Sequence, residues 1–357
     1  MFLFTSLLIP AFAAPTLAID GVCPGTVTVT VEAASPDGRV ALAAADETGA
    51  ADVPAGSCAG TALGLSTAGL RGIDRLDTSA DGSATIDLTV PLEACGRWLQ
   101  GVDLSTCDTT DVAELATCGP VSFDGEATEI GSGLDVGYEP SGADWHDRLE
   151  RLFIVHDGGK LTSLDTDGTV LDSWTLGGDL EGVTIPDPET DLVYVGVENP
   201  AEILEVEVIG GTIIRRFDAS VMDGATSSGL EALTFVPDIS HPEGGTFYAG
   251  DQETAQVFVF ELPIVTSSSS TEITLIDELT LGGAPGSDLS GLDYDPVHHE
   301  VYAIFDSSDL LISVTPDGEA ISSWDLPHDN QEGYARSPSC DVFIALDSPT
   351  EVWRYQP

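Results

Sequence analysis

Five carboxylate side chains recur at one place in a repeated sequence motif. The motif is a glycine or aspartate, a leucine, a carboxylate and a small or apolar residue, as in Asp179-Leu180-Glu181-Gly182-Val183. Its copies begin roughly 40–60 residues apart, and the last copy is degenerate. The repeated carboxylates are Asp135, Glu181, Glu231, Asp293 and Glu332. This period is typical of the blades of a β-propeller, so we expect these side chains to meet near a central axis.

A second repeated acid follows the second predicted strand of each repeat. Its members are Asp157, Glu198, Asp251, Asp306 and Asp347. Antiparallel pairing places the end of a second strand beside the start of the first strand. Both sets are therefore predicted to converge on one mouth of the channel, where so many acids repel one another unless cations lie among them.

Calcium is the ion that these donors suit best. The carboxylates have amide neighbours at Asn199, Gln252 and Gln331, and such hard oxygen donors prefer Ca²⁺ to zinc or copper. Two structural alternatives stay open. An aspartate after a strand often bonds its own backbone in a turn, an interpretation that applies more to the second set than to the first. Buried acids can also stay protonated and pair through hydrogen bonds.

The charge of the chain excludes several classes of partner. The 357 residues include 61 acidic and 11 basic ones, which gives a formal net charge of -50. Nucleic acid and anionic membrane surfaces require clustered Lys and Arg, so neither is expected as a partner. Charge repulsion of this size means that salt or divalent cations should stabilise the folded state. A surface adapted to a saline habitat explains the same excess equally well.

The first 18 residues are predicted to be a secretory signal. An apolar run from Phe2 to Ala14 ends in small residues, with candidate cleavage sites at Ala11-Phe12-Ala13 and Thr16-Leu17-Ala18. The run is too short to cross a membrane, and no later stretch supplies a transmembrane segment. We therefore expect an exported protein in an extracellular, periplasmic or envelope compartment, where disulfides form.

Residues 19–118 are predicted to form a small, disulfide-linked β-sandwich. Alternating patterns at residues 26–31 and 84–90 indicate strands, and Gly, Ser, Ala and Asp fill the segments between them. Five of the six cysteines lie here and the last lies near the C-terminus: Cys23, Cys58, Cys95, Cys107, Cys118 and Cys340. Zinc is disfavoured because this region has no CxxC pair and no histidine. We expect pairs 23–58, 95–107 and 118–340, one of fifteen possible connectivities.

Residues 119–357 are predicted to form a five-bladed β-propeller, so the chain belongs to the all-β class. Each repeat contains four short predicted strands, the first of them at residues 134–138, 180–185, 230 onward, 292–295 and 332–335. The last repeat supplies only three strands, and residues 121–130 are expected to close the ring as its outer strand. Six blades is the alternative if the long third repeat contains an extra one.

These repeats resemble the SdiA-regulated β-propeller family, and they are also similar to NHL-like and phytase- or esterase-like propellers. The resemblance covers residues 121–357 and rests on residues 179–184, 289–296 and 330–335. It implies an exported propeller, with calcium binding and phytase-like activity in some relatives. The Glu-Gly motif of the family corresponds to Glu181 and Glu332, whereas the Leu-Glu-Ala sequence at Glu231 departs from it.

Two kinds of function follow from these expectations. The first is a monomeric calcium-binding protein that holds a small molecule, a glycan or a protein at the acidic mouth. The second is a calcium-dependent hydrolase, either a phytase-like phosphoesterase or a lactonase or esterase. A phosphoesterase normally adds basic residues to neutralise its substrate, and few are available here. No nucleophile elbow, phosphate-binding loop or dinucleotide fingerprint is present, and no catalytic residue can be assigned.

Overall fold

The computed structural model describes residues 14–222 and 229–357. The chain divides into two compact units, Met1–Cys118 and Gly119–Pro357. Both consist of antiparallel β-structure, with short 3₁₀ turns and no α-helix among the described residues. The same part of the chain contains no helix with the length and apolar character needed to cross a membrane.

The first unit contains nine described strands in three sheets. They are β1 (Thr16–Asp20), β2 (Gly25–Glu32), β3 (Arg39–Ala45), β4 (Thr48–Asp52), β5 (Ala62–Leu65), β6 (Arg71–Asp77), β7 (Ala84–Val90), β8 (Trp98–Asp103) and β9 (Ala113–Glu114). The sheet orders are β1-β2-β7, β6-β3-β8-β9 and β4-β5. The alternating pattern of β2 buries Val27, Val29 and Val31, which share one core with Leu42 of β3 and Leu99 of β8. The first two sheets therefore meet through their apolar faces.

Strand β1 overlaps the predicted signal segment. Thr16–Asp20 pairs with β2 along its whole length, and Leu17 packs against the core. Cleavage after Ala18 would remove three of these paired residues, so the boundary at residue 18 disagrees with the sheet. The other candidate site, Ala11-Phe12-Ala13, lies outside the described residues.

The disulfides of the first unit differ from the predicted pairs. Cys23 bonds Cys95 and Cys58 bonds Cys107, each with a Cα–Cα distance of 5.3 Å. The predicted pairs 23–58 and 95–107 assumed partners close in sequence, and they are wrong because β2 pairs with the distant β7. Cys23 precedes β2 and Cys95 follows β7, so this pairing brings the two sulfurs together. Cys118 and Cys340 are disulfide-bonded as well, and the described residues include no free cysteine.

The second unit is built from five four-stranded antiparallel sheets among its described residues. Its strands are β10 (Ala127–Glu129), β11 (Pro140–His146), β12 (Arg151–His156), β13 (Lys160–Leu164), β14 (Val170–Thr175), β15 (Leu180–Thr184), β16 (Leu192–Val197), β17 (Glu202–Glu207), β18 (Thr212–Asp218), β19 (Leu230–Pro237), β20 (Gly245–Asp251), β21 (Gln256–Glu261), β22 (Thr274–Thr280), β23 (Leu289–Asp295), β24 (Glu300–Phe305), β25 (Leu310–Val314), β26 (Ala320–Asp325), β27 (Gln331–Arg336), β28 (Val342–Leu346) and β29 (Glu351–Tyr355).

The five sheets follow one another in a closed order. The innermost strands β11, β15, β19, β23 and β27 contact one another in sequence, and β27 contacts β11. The last sheet has the order β10-β29-β28-β27, so its outer strand comes from the start of the unit. Apolar side chains fill the spaces between neighbouring sheets, as Tyr194 of β16 and Phe247 of β20 do with their ring centroids 5.0 Å apart. The fold of this unit is propeller-like.

One strand assignment differs from the sequence prediction, and the third repeat agrees with it. The innermost strand of the first sheet is Pro140–His146, whereas residues 134–138 lie before it and follow a 3₁₀ turn at Gly131–Gly133. The long third repeat forms a single four-stranded sheet, β19 to β22, in the part of the chain that is described. Its two long connections contribute no further strand there.

A buried ion pair fixes the serine-rich connection of the third repeat. Arg215 donates from Nη2 to Oε1 of Glu205 at 2.8 Å, and its Nε also bonds this carboxylate. Its Nη1 donates to the carbonyl oxygens of Pro263 and Ser267, both at 2.8 Å. The Tyr194 hydroxyl completes the network by donating to Glu205 at 2.8 Å. One guanidinium thus joins the second sheet to residues 263–267.

Candidate functional site

Each innermost strand contains a β-bulge near its start. The pairing register shifts between Leu180 and Gly182, and it shifts at the same place in the other four sheets. The extra residues at these bulges are Ser141, Glu181, Glu231, Ser290 and Glu332. A bulge leaves one residue outside the ladder and re-aims its side chain, which is why bulges are frequent beside functional sites.

The bulges correct two members of the predicted carboxylate ring. Ser141 and Ser290 occupy the positions that the sequence motif assigned to Asp135 and Asp293. Asp135 lies before β11, where it is exposed and forms an ion pair with Lys160. The hydrogen bond from Lys160 lowers the pKa of Asp135. Only Glu181, Glu231 and Glu332 are equivalent carboxylates at the bulges.

Asp293 lies three residues beyond its bulge, at a different level of β23. It is buried, and it senses the charge of Asp144 of β11. Burial first, and then the charges of Asp144 and Asp295, raise the pKa of Asp293 well above its usual value. Asp144 also has a pKa raised by burial, to about 7, and it accepts a hydrogen bond from the Ile185 amide at 2.8 Å.

Three carboxylates come together at the start of β15. Oxygen atoms of Asp157, Asp179 and Glu181 all lie within 4.8 Å of one another. Asp157 follows β12, Asp179 immediately precedes β15, and Glu181 is its bulged residue. The Ser141 hydroxyl donates a hydrogen bond to Asp157. Glu181 is only 7% exposed, and within the described structure its carboxylate has no hydrogen-bond donor.

Sequence reasoning identified Asp157 and Glu181 but missed Asp179. The signal was present, because Asp179 is the first residue of the motif that contains Glu181. The other copies of the motif have Gly or Asn at this position, so a search for acids shared by all repeats passed over it. The three-carboxylate cluster is therefore a property of one sheet and its predecessor rather than of the whole ring.

Further acids surround this cluster, and together they form what we call the acidic mouth. Its members affect one another electrostatically in the folded protein. They are Asp157, Asp179, Glu181, Glu198, Glu231, Asp288, Asp306, Glu332 and Asp347. This set retains Asp157, Glu198, Asp306 and Asp347 from the second predicted group, and it adds Asp179 and Asp288.

Burial and mutual repulsion raise the pKa of several acids in the mouth. Burial, followed by the charges of Glu231 and Asp157, raises the pKa of Glu181 to about 11. Burial and like charges also raise the pKa of Glu231 to about 8, with Glu198 the strongest of the charges, and that of Glu332 to about 9, with Asp347 the strongest. In the absence of a cation these side chains therefore hold protons at neutral pH.

Asp251 is the member of the second group that lies out of register with the others, because it pairs with Leu230 where the other sheets have His156, Val197, Phe305 and Leu346. Its Oδ1 accepts hydrogen bonds from the Thr254 amide at 2.9 Å and from the Thr254 hydroxyl at 2.7 Å. This is the turn role that the sequence left open as an alternative. Asp251 is completely buried.

The lysine and arginine side chains of this unit all form ion pairs outside the acidic mouth. Residues 119–357 contain seven of them, and each forms an ion pair with an acid that is not in the mouth. Their partners are Asp191, Asp172, Asp135, Glu205, Glu202, Asp295 and Asp341. The acidic mouth therefore obtains no positive charge from a lysine or arginine of this unit.

The space below the mouth is closed by backbone. After each bulge comes a glycine or alanine, and the cavity that these residues line is too narrow for a water molecule. A Cβ atom on Gly182 would lie 2.5 Å from the Leu233 nitrogen, and one on Gly291 would lie 2.3 Å from the Glu332 carbonyl oxygen. Because the residues after the bulges are glycine or alanine, the inner strands can approach one another closely. The mouth is therefore a shallow basin and not the end of an open channel.

The donor set fits a hard cation. Asp157, Asp179 and Glu181 offer carboxylate oxygens only, with no nitrogen or sulfur donor in the cluster. One oxygen of Asp347 is also buried and has no hydrogen-bond partner. Ca²⁺ binds six to eight oxygens at 2.3–2.6 Å, and three carboxylates supply part of that number. The remaining positions of such an ion would be filled by water or by an external ligand.

Comparison with known proteins identifies a family but no curated relative. A family model described as SdiA-regulated matches residues 132–337, which is more than half of the chain. No curated protein matches the sequence. Among solved structures, the glutaminyl cyclase of Myxococcus xanthus is similar to 65% of this chain and 94% of its own, with 13% identity and a TM-score of 0.49.

Proposed function

Because the chain belongs to the SdiA-regulated family, we propose that it is an exported calcium-binding propeller that holds an external ligand at its acidic mouth. The observation that supports the proposal best is the cluster of Asp157, Asp179 and Glu181, whose oxygens lie within 4.8 Å of one another. Three carboxylates this close are compatible with full ionisation only if a cation lies among them. Calcium is the cation whose donor preference and coordination number suit this set.

The proposed ion links metal binding to ligand binding. Three carboxylates leave several positions of a calcium ion free for exchangeable oxygens. A ligand with hydroxyl, carboxylate or carbonyl oxygens could occupy those positions, which makes a glycan, a small oxygen-rich molecule or a protein carbonyl suitable. The acids around the cluster would repel an anionic ligand that did not contact the ion directly.

A calcium-dependent esterase or lactonase is the second candidate. It is favoured by Glu231, whose pKa of about 8 lies close to the operating range of a general acid or base. An ion in the mouth would polarise an ester carbonyl, and this proton-holding group would lie in the same basin. A phosphoesterase fits less well, because every lysine and arginine of this unit already pairs with an acid outside the mouth and none is available to neutralise a phosphate.

The proposal also covers the architecture, the compartment and the oligomeric state of the protein. We interpret the five closed sheets as the blades of a five-bladed propeller and residues 19–118 as a β-sandwich. Disulfide-bonded cysteines support export to an oxidising compartment. The chain is proposed to act as a monomer.

Calcium titration of the full chain tests the proposed ion site. Isothermal calorimetry should show saturable binding, and Glu181→Gln and Asp179→Asn should each weaken it at least about tenfold, since each removes a charged ligand. Asp293→Asn is the matched control: it removes a buried acid at another level of the inner strands and should change the affinity less than about twofold. Unchanged affinity in Glu181→Gln would refute the cluster as the calcium site.

Terbium luminescence tests whether the ion keeps positions for a ligand. Tb³⁺ substitutes for Ca²⁺, and its lifetimes in H₂O and D₂O count the bound waters. We expect at least about two exchangeable waters on the bound ion. An ion without water would instead be a closed structural site, and the ligand-binding part of the proposal would then fail while the calcium site stood.

A further inference from the structure

The first unit contains an apolar cavity that the proposed function does not use. It has a volume of about 120 Å³, and strands of both larger sheets line it. Its apolar walls come from Ile73, Leu88, Val90, Ala94, Leu99 and Leu115. Such walls favour an apolar occupant, because burial removes apolar surface of the occupant from water.

Two arginines also line this cavity. They are Arg71 on β6 and Arg97 just before β8, and none of the lining residues is acidic. In a chain with 61 acidic and 11 basic residues, this is a local reversal of charge. A negative group entering the cavity would therefore meet positive charge at the wall, whereas it meets carboxylates over most of the protein surface.

The two arginines differ in how their charge is compensated. Arg97 has its Nε 3.3 Å from Oδ1 of Asp46, and its side chain is partly buried. Arg71 forms no ion pair with any described acidic residue. A planar guanidinium presents several donors and matches the geometry of a carboxylate. Arg71 therefore has its full capacity available for a carboxylate held in the cavity.

We propose that this cavity binds a small aliphatic carboxylate, with the alkyl chain among the apolar walls and the carboxylate at Arg71. A cavity of about 150 Å³ holds benzene in a protein core, so 120 Å³ accommodates an apolar body of about five carbons. Hexanoate has five carbons beyond its carboxylate. The charge argument excludes amines, and the apolar walls exclude inorganic anions. This site is independent of calcium and of the acidic mouth.

Calorimetric titration of the full chain with sodium hexanoate, in the presence of EDTA, tests the proposal. We expect saturable binding, with hexan-1-ol and hexylammonium at least about tenfold weaker because they lack the negative group. From butanoate to hexanoate the affinity should rise about fourfold per methylene, the value for burying one CH₂, and decanoate should gain nothing more.

A matched pair of variants on β6 separates a specific site from general electrostatics. Arg71→Gln should weaken hexanoate binding at least about tenfold by removing the charge that faces the carboxylate. Arg75→Gln removes an equally exposed arginine from the same strand, and one that likewise forms no ion pair with a described acid, but it does not line the cavity. It should leave the affinity within about twofold.

Three results would overturn the proposal. They are no saturable hexanoate binding below about 10 mM, equal binding of hexanol and hexanoate, and equal losses in Arg71→Gln and Arg75→Gln. The first would mean that the cavity holds no carboxylate. The second would leave an apolar cavity without charge recognition, and the third would leave only the attraction of an anion to basic surface.

Discussion

Glu205 and Glu181 are glutamates of the same four-stranded sheet, on β17 and β15, and their surroundings are opposite. Glu205 is 4% exposed and Glu181 is 7% exposed, so burial does not distinguish them. Glu205 receives two hydrogen bonds from Arg215 and one from the Tyr194 hydroxyl. Glu181 faces Asp157 and Asp179 instead. The same residue type is thus compensated by the chain at one place and surrounded by like charge at the other.

Asp295 follows the pattern of Glu205. Burial raises its pKa, but the hydrogen bond from His298 and the charge of Arg336 bring that pKa below its usual value. The chain therefore can place a basic partner beside a buried acid, and it does so where the acid has a structural role. The acidic mouth, which receives none, depends on protons or on a cation from solution. This difference separates acids with a basic partner in the chain from the acids of the proposed ion site.

Removing the basic partner of Glu205 should have the largest effect. Arg215→Met leaves a buried carboxylate without compensation and removes the donors that fix residues 263–267, so we expect a loss of about 3–5 kcal/mol in the free energy of unfolding. Urea denaturation in calcium-containing buffer measures it. Arg216→Met is the control, because Arg216 forms an exposed pair with Glu202 and should contribute less than about 1 kcal/mol. Similar losses of unfolding free energy in both variants would show that the buried pair contributes no more than the exposed one.

The stability of the calcium-free protein should fall as pH rises. Glu231 and Glu332 have pKa values raised to about 8 and about 9, whereas in an unfolded chain the value is about 4.3. The folded state therefore keeps protons that the unfolded state has released. Their contribution is complete below about pH 4 and is lost as pH rises through the folded pKa values, with an expected decrease of at least about 2 kcal/mol between pH 5 and 9.

Denaturation in EDTA and in calcium at these two pH values checks this prediction. Calcium should reduce the decrease, because it stabilises the ionised carboxylates, and its affinity should increase with pH as fewer protons compete. Glu231→Gln removes one titrating group and should flatten the profile in EDTA. Identical pH profiles with and without calcium would show that the mouth carries no ion.

Asp135 should give the smallest effect. Its side chain and that of Lys160 are exposed to solvent, so their ion pair contributes little. We expect Asp135→Asn to change calcium affinity by less than about twofold. If Asp135→Asn reduced the calcium affinity as much as Glu181→Gln, Asp135 would belong to the calcium site, as the sequence motif predicted. The same titration protocol measures both variants.

The sequence predicts the repeat and its strands better than it predicts which side chains meet. Residues 180–185 and 332–335 were expected to be innermost strands, and β15 and β27 are found there. In the fourth repeat the motif aligned Asp293 with Glu181, because both follow a leucine. The bulge shows Ser290 to be equivalent, and a shift of three residues moves a side chain to another level of the strand.

The disulfides and the mouth were hard to predict for a related reason. Cys23 meets Cys95 through the pairing of β2 with β7, which lie far apart in sequence. Asp288 joins the mouth from the residue before β23, the place that Asp179 takes before β15, but the sequence motif hid this correspondence because it aligned Asp293 instead of Ser290 with Glu181. Contacts of this kind depend on the tertiary arrangement, whereas the repeat period depends only on local pattern. The family resemblance, in contrast, rested on local motifs and is confirmed.

The small residues that close the space below the acidic mouth determine the order in which an ion and a ligand can bind. Anything that enters the basin has to leave by the same opening, because no water-sized passage continues below. An ion seated at Glu181 would lie beneath a ligand that binds to it. The ion would then load first and the ligand second, and the ligand would have to depart before the ion could exchange. Bound ligand would therefore slow the removal of calcium by a chelator, because it would block the only way out for the ion.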